Sequence, residues 1–524
     1  MNKKVKKGLL VAIGVMVVLI ICVFVLNAVV EHKLESQIAE APENIKIKYK
    51  SLKINTLKGN LELEHPQIVI YGKTTDSVNA QIELEHFSVT DFGYWNYLVN
   101  DEITLGNIVL RQPKMKYYHN DLVKSKSYND AFKNSLNKLI KVHSFQIHKG
   151  EVEIRTVSND SLMLDSKKID LRIEGLQISQ SNPKQPITYK DFAMSSQHVF
   201  YQVSDYENLF LEHIDVHPNF SKFKGLRVQT KYSKSKLSSM IPVERDHYNL
   251  RVDSIEIQKQ DFGIAQDSLF YFKSERMDVY QPNFKIFRDK LVEDDMSYKP
   301  LYSKMLRDLK FDMTLSTVLL NNTSITYTEK VNEETTGGKL LFSKLNAQIK
   351  NLSNTYKPDE AVTSVNVKAI FMDNSPINVQ WDFDINDTSD AFVFKAEMGK
   401  LNADSMNQFM EPNLNVRLEG EINKTYFTLN ANEEKGHIDL KLNYDDFDVI
   451  ILKENGEEKN KFLSSIVNIF VSKDSKDKAE DFRHGSKSDI ERAKNKSVFN
   501  YLWLNLKGGL MNAMTGDGKE KDKN

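Results

Sequence analysis

Ile103-Thr-Leu105-Gly-Asn-Ile108-Val-Leu110-Arg-Gln-Pro113-Lys-Met115-Lys-Tyr117 is the stretch whose reading decides the fold. Its apolar residues recur at steps of two and three, with mostly polar residues between them. The same spacing returns at Ile140, Val142, Phe145, Ile147, Gly150, Val152 and Ile154. It returns again at Leu250, Val252, Ile255, Ile257, Gln260, Phe262 and Ile264, and at Met313, Leu315, Val318, Leu320, Thr323, Ile325 and Tyr327. A near-copy runs through Phe272, Met277, Val279, Pro282, Phe284 and Ile286, with Ser274 in one apolar slot. In chain order these are five copies of one pattern. Alternation with period two gives a strand one apolar face and one wet face.

Working outward, the rest of the chain after Ile45 reads the same way. Leu61 and Leu63 alternate with glutamates, Ile169, Leu171 and Ile173 with charges, and Ile377, Val379, Trp381 and Phe383 with polar residues. Ile438, Leu440, Leu442 and Tyr444 continue the habit. Such alternation belongs to antiparallel sheets, whose wet face tolerates charge. The expected fold is mainly β: a long twisted antiparallel sheet curled into an elongated groove, with a few short α-helices. About 25 strands at ~4.8 Å separation give a sheet on the order of 100 Å long. The candidate groove lining is Ile103, Leu105, Ile108, Leu110, Val142, Phe145, Ile147, Leu250, Val252, Ile255, Ile257, Met313, Leu315, Val318 and Leu320.

A step of three would turn a regular strand over. The pairs Gly106-Asn107, His143-Ser144, Asp253-Ser254 and Ser316-Thr317 fill the first such step and predict a bulge or kink there. The positions Pro113, Gly150 and Pro282 read as turn or edge features.

Helical signals are few. Asp130 to Ile140, Pro300 to Leu309 and Ala403 to Phe409 are short candidates. Near the C-terminus, Phe499, Leu502, Trp503, Leu506 and Leu510 share one helical face. That face fits either a membrane interface or the end of the sheet.

The N-terminus carries a different signal. Gly8 to Val30, with Leu9 at its start, is apolar apart from Asn27 and two glycines, and Lys3, Lys4, Lys6 and Lys7 precede it. About 20 apolar residues cross a bilayer, and the lysines mark the cytoplasmic side. A cleaved signal peptide would have a shorter core and a small-residue cleavage site. The expected organisation is a cytoplasmic tail 1–7, a single transmembrane helix 8–30, an N-terminal β region 31–296 and a C-terminal β region 297–472. A polar linker 473–496, an amphipathic helix 497–514 and a charged tail 515–524 follow.

Composition bounds the function. With 71 basic and 72 acidic residues the net charge is −1, which leaves no electrostatic footprint for nucleic acid. The single cysteine, Cys22, lies inside the apolar run, so no disulfide or cysteine metal site is expected. His213 and His217 have a helical metal spacing but sit in a strand pattern. No phosphate loop or nucleophile motif occurs, and the carboxylates fall on alternating polar faces. Neither enzyme activity nor a cofactor is expected.

The apolar N-terminal span, then Leu61-Glu-Leu-Glu-His-Pro66-Gln-Ile68-Val-Ile70, then Phe92-Gly-Tyr-Trp95-Asn-Tyr-Leu98 leading into the first copy, resembles the AsmA-like family of Gram-negative envelope proteins. Lys299-Pro-Leu-Tyr-Ser-Lys-Met-Leu306 before the fifth copy, and Gly420 through Val449, resemble its Bacteroidota-type members. The resemblance implies an inner-membrane protein with its bulk in the periplasm, whose apolar β-groove helps move phospholipids or other envelope lipids. It implies membrane lipids as partners, together with an outer-membrane protein or lipid, and no catalytic residues. The alternative is a structural scaffold for outer-membrane protein biogenesis, in which the same apolar face is an ordinary core.

Overall fold

The computed structural model describes residues 27–515 other than 29, 34, 37–40, 73–76, 121–138, 180–186, 266–268 and 454–481. The chain divides into two compact units. The first comprises Met1–Gln202, Phe210–Pro218 and Gln266–Ser268; the second comprises Val203–Leu209, Asn219–Ala265 and Leu269–Asn524. Both are built almost wholly of strands, so the mainly β expectation stands. The expected junction at 296/297 falls inside the second unit.

Within each unit the strands do not form the purely antiparallel groove that alternation suggests; they stack as coils, in the manner of a solenoid. The reason lies in the copies themselves. The first copy, carried by Glu102–Arg111 and Lys114–His119, pairs in parallel with the second, carried by the single long strand Leu139–Thr156. Slot meets slot: Ile103 with Ile140, Leu105 with Val142, Ile108 with Phe145, Leu110 with Ile147, Met115 with Val152 and Tyr117 with Ile154. In the second unit the fourth and fifth copies do the same, Phe272 with Met313, Met277 with Val318, Val279 with Leu320 and Phe284 with Ile325. Parallel neighbours need a long connection, and residues 120–138 and 290–311 supply it.

The third copy, on His247–Ile264, pairs antiparallel with the fourth, and its slots still match. Ile257 meets Met277, Ile255 meets Val279, and Leu250 meets Phe284. Over the first six slots the steps two, three, two, three, two read the same in both directions, so one spacing serves parallel and antiparallel neighbours alike. Alternation reports a half-wet face and not strand direction.

Both steps of three are bends, but only one matches the expected place. At the second step every copy holds a left-handed residue that is not glycine: Gln112, Lys149, Lys259, Gln281 and Asn322, with φ between +47° and +54°. Such a conformation costs roughly 1–2 kcal/mol for a residue with a Cβ. Each of these side chains is exposed, and the residue after it, Pro113, Gly150, Gln260, Pro282 or Thr323, is buried. Register shifts against the antiparallel neighbour also fall here, around Ile169 opposite Gly150 and around Thr323. The corner keeps its ladder, because Gln112 N–H reaches His148 O at 2.8 Å and Glu151 N–H reaches Pro113 O at 2.7 Å. Gln281 to Asn321 and Ser324 to Pro282 repeat the arrangement at 2.8 Å. Pro113 and Pro282 lack an N–H but still offer a carbonyl, so pairing continues past these corners although the strands break at them, between Arg111 and Lys114 and between Tyr280 and Asn283.

At the first step of three the copies themselves have regular backbone, contrary to expectation. The left-handed residue sits on the antiparallel neighbour instead: Gly175 opposite His143, Gly225 opposite Asp253 and Asn351 opposite Ser316. A bend carried by the neighbour leaves the register intact here, so the repeated pair alone does not reveal which strand carries it.

Among the described residues helices are short apart from one, Val498–Thr515. Tyr302–Arg307 lies within the expected 300–309, and Ala403–Met406 with Asn407–Leu414 extends the expected 403–409. The candidate at 130–140 lies outside the described residues except for Leu139 and Ile140, which begin a strand. One further correction concerns the C-terminus. Within the expected linker, Arg483–Glu491 is a strand paired antiparallel with Lys435–Ile451. It lacks apolar alternation because its buried positions are Arg483 and Gly485, covered by the helix Val498–Thr515. Arg483 Nε donates to the Ala513 carbonyl at 2.8 Å.

Among the described residues no helix is long and apolar enough to cross a membrane. Of the expected anchor only Asn27, Ala28 and Val30 are described, all helical; Lys3, Lys4, Lys6, Lys7 and Leu9 lie outside. Most of the expected tail at 515–524 lies outside as well.

Candidate functional site: aligned apolar files

Stacking turns each slot of the pattern into a file of apolar side chains running from coil to coil. What differs between files is how far they are covered. In the first unit Ile103, Leu105, Ile108, Leu110, Phe145 and Ile147 are half-buried, and only Val142 is buried. In the second unit Val252, Ile257, Leu315 and Val318 are buried, while Leu250, Ile255, Met313 and Leu320 are half-buried. A side chain buried on one side only gains part of the ~25 cal/mol per Å² of full burial. The uncovered remainder is what an apolar ligand can still cover.

In the second unit a closed core sits beside these copies. Leu429, Ile438, Leu442 and Tyr444 are fully buried and pack with Trp381, Phe392, Tyr501 and Ala513. The helix Val498–Thr515 closes this cluster with Val498, Tyr501, Asn505, Gly509 and Ala513. Gly509 lets it approach closely, since a Cβ there would stand 2.4 Å from Leu440 Cδ2. The face expected to be functional behaves differently: Leu502, Leu506 and Leu510 pack partly on the cluster, while Phe499 and Trp503 stay exposed. The helix is therefore docked on the sheet, through a face on which Tyr501 and Asn505 alternate with the small Gly509 and Ala513.

The polar face is closed by ion pairs. Lys141 bridges to Glu102 at 2.7 Å, Lys222 to Glu256 at 2.5 Å and Lys259 to Glu275 at 2.6 Å. Hydrogen bonding to Glu256 holds the Lys222 ammonium above its ordinary pKa, and hydrogen bonding to Arg155 holds the Glu153 carboxyl below its own. Groups paired this way are held charged, which suits a solvated surface and not a proton-transferring pair.

His213 and His217 lie on the strand Glu207–His217. Four residues of strand separate them by about 13 Å, too far to share an ion. His217 instead lies 3.1 Å from Asp215. Among the described residues no three His, Cys, Asp or Glu side chains gather to hold a metal. A shallow hollow in the second unit, near Val362, Phe383 and Ala431, has Lys435 and Asp489 paired at 2.6 Å on its rim.

One feature escaped sequence reasoning. The helix Tyr94–Val99 has no buried residue, and Trp95 and Leu98 are 73 % and 77 % exposed. At six residues it is too short to show a periodic stripe. No family model matches this chain, and no curated protein matches it at a significant level.

Proposed function

We propose that this protein is a non-enzymatic, membrane-anchored lipid-handling protein whose stacked apolar files receive acyl chains and ease their movement between envelope membranes. The observation that carries the reading is the slot-on-slot pairing of the copies, which makes apolar files that remain half-exposed in the first unit. Each CH₂ removed from water is worth about 0.8 kcal/mol, so a sixteen-carbon chain faces a barrier of about 12 kcal/mol in leaving a bilayer alone. A continuous apolar surface lowers that barrier without chemistry. The anchor reading of residues 8–30 adds an inner-membrane location, with the N-terminus cytoplasmic and the bulk periplasmic. The likeness to AsmA-type sequences points the same way.

The full chain, purified in a detergent that is not a phospholipid, should retain phospholipid detectable by mass spectrometry of the extract. Leu105→Lys with Ile147→Lys should lower that content several-fold while the circular dichroism stays unchanged. A lipid-free preparation, or one whose lipid content ignores both lysines, contradicts the proposal. A second reading, the assembly scaffold, draws on the closed core of the second unit, which needs no ligand.

A further inference from the structure

The first unit carries an apolar tip that the lipid-handling reading does not use. The turn at 56–59 presents Leu57, 71 % exposed, and the helix Tyr94–Val99 presents Trp95 and Leu98. Phe92 N–H donates to Gly59 O at 3.0 Å, which sets the two loops side by side. The approach is close enough that a Cβ at Gly59, whose φ is +65°, would meet Phe92 N at 2.6 Å. On its other flank the helix is fixed to its own unit: Gly93 N–H reaches Thr104 O at 2.9 Å, and Asn96 Nδ2 reaches Thr104 Oγ1 at 3.0 Å. The exposed residues are therefore held outward by a rigid base.

The same turn is tied to the end of the apolar N-terminal segment. Thr56 donates its backbone N–H and its hydroxyl to Asn27 Oδ1, at 2.8 and 2.5 Å. On the anchor reading, a helix over Gly8 to Asn27, rising 1.5 Å per residue, would span about 30 Å, the thickness of a hydrocarbon core. That reading puts Asn27 where hydrocarbon gives way to headgroups, and its hydrogen bonds put Thr56 beside it. Tryptophan and tyrosine are enriched at that depth. The helix Tyr94–Val99 bears no charge, and Lys58 in the turn adds a cation suited to anionic headgroups.

We infer that the tip formed by Leu57, Trp95 and Leu98 inserts into the headgroup region of the bilayer that holds residues 8–30, fixing the first unit's end against the membrane. This rests on the anchor reading of residues 8–30.

The test uses the full chain reconstituted into phosphatidylcholine–phosphatidylglycerol vesicles, with Trp381→Phe and Trp503→Phe leaving Trp95 as the only indole. The buried Trp381 Nε1 has no hydrogen-bond partner, so phenylalanine there removes none. Emission from Trp95 should be quenched at least twofold more by lipids brominated near the headgroup than by aqueous iodide. Trp95 quenched by iodide as strongly as free indole overturns the inference. So does shielding that rises with protein concentration and ignores brominated lipid, which assigns the tip to a second copy. Should the double variant fold poorly, Cys22→Ser with Leu98→Cys carrying a polarity-sensitive dye gives the same readout in the parent background. Flotation after alkaline washing separates the two ideas. A chain that floats with an aqueous Trp95 keeps the anchor and loses the tip, whereas a chain that does not float loses both.

Discussion

The two units use one spacing of apolar residues to different ends. In the first, slots aligned across neighbouring coils stay half-buried, with only Val142 of the seven candidate positions buried. In the second, four of the eight are buried, and beyond them the helix Val498–Thr515 seals a core in which Leu442 and Tyr444 have no exposure. Repetition thus specifies how strands stack, while the covering element decides whether the resulting face is a core or a surface.

The comparison breaks most sharply under charge. Leu442→Asp should unfold the second unit, losing more than about 4 kcal/mol because a carboxylate is buried without a partner. Ile147→Asp in the first unit should cost about 1 kcal/mol, since water reaches a half-exposed site. Urea titrations followed by tryptophan emission and by circular dichroism distinguish the two, and equal losses would mean that the first-unit face is also a core. Leu442→Ala against Leu105→Ala gives a milder version, about 2–5 against about 1 kcal/mol.

Cover can also be removed. Gly509→Leu should push the C-terminal helix off Leu440, at a cost of about 1–3 kcal/mol from overpacking. Binding of an apolar dye to the variant should rise toward the level shown by the first unit. Unchanged dye binding would show that the helix does not seal the core.

The corners give a smaller effect. Lys149→Val should destabilise the first unit by about 1–2 kcal/mol, because a β-branched residue resists the left-handed conformation, whereas Lys149→Gly should be tolerated. Thermal unfolding of the pair against wild type measures both.

The smallest effect is acid-dependent. Hydrogen bonds from Lys496, at 2.8 Å, and Lys290, at 2.9 Å, hold Asp294 at a pKa of about 2, below its ordinary 3.8. A carboxylate with a lowered folded pKa stabilises above its unfolded pKa, and that contribution is lost as the pH falls through 2. Asp294 is solvent-exposed, so the gain is under about 1 kcal/mol. Stability of Asp294→Asn should lie slightly below wild type at pH 6 and converge with it near pH 2.

Much of this fold is legible in the chain. The slots of the five copies are the residues that pair in register, and the short helices near 302 and 403 lie where their apolar spacing puts them. Strand direction is not legible, because a palindromic spacing fits either sense. Nor is the strand Arg483–Glu491, where Arg483 and Gly485 take buried positions only because a later helix lies over them. The left-handed corners are half-visible: Pro113, Gly150 and Pro282 mark them, but Lys149 and Lys259 look like ordinary wet-face lysines. The apolar files could be named in advance, and their cover could not, since it depends on the close approach that Gly509 and Ala513 allow.

Photo-crosslinking in native membranes tests the central claim most directly, with a diazirine amino acid at Leu105, Ile147 or Leu442 of the full chain. Lipid adducts at Leu105 and Ile147, with protein-only adducts at Leu442, are the predicted result. Absence of lipid adducts at both first-unit positions would contradict the claim that this face receives acyl chains.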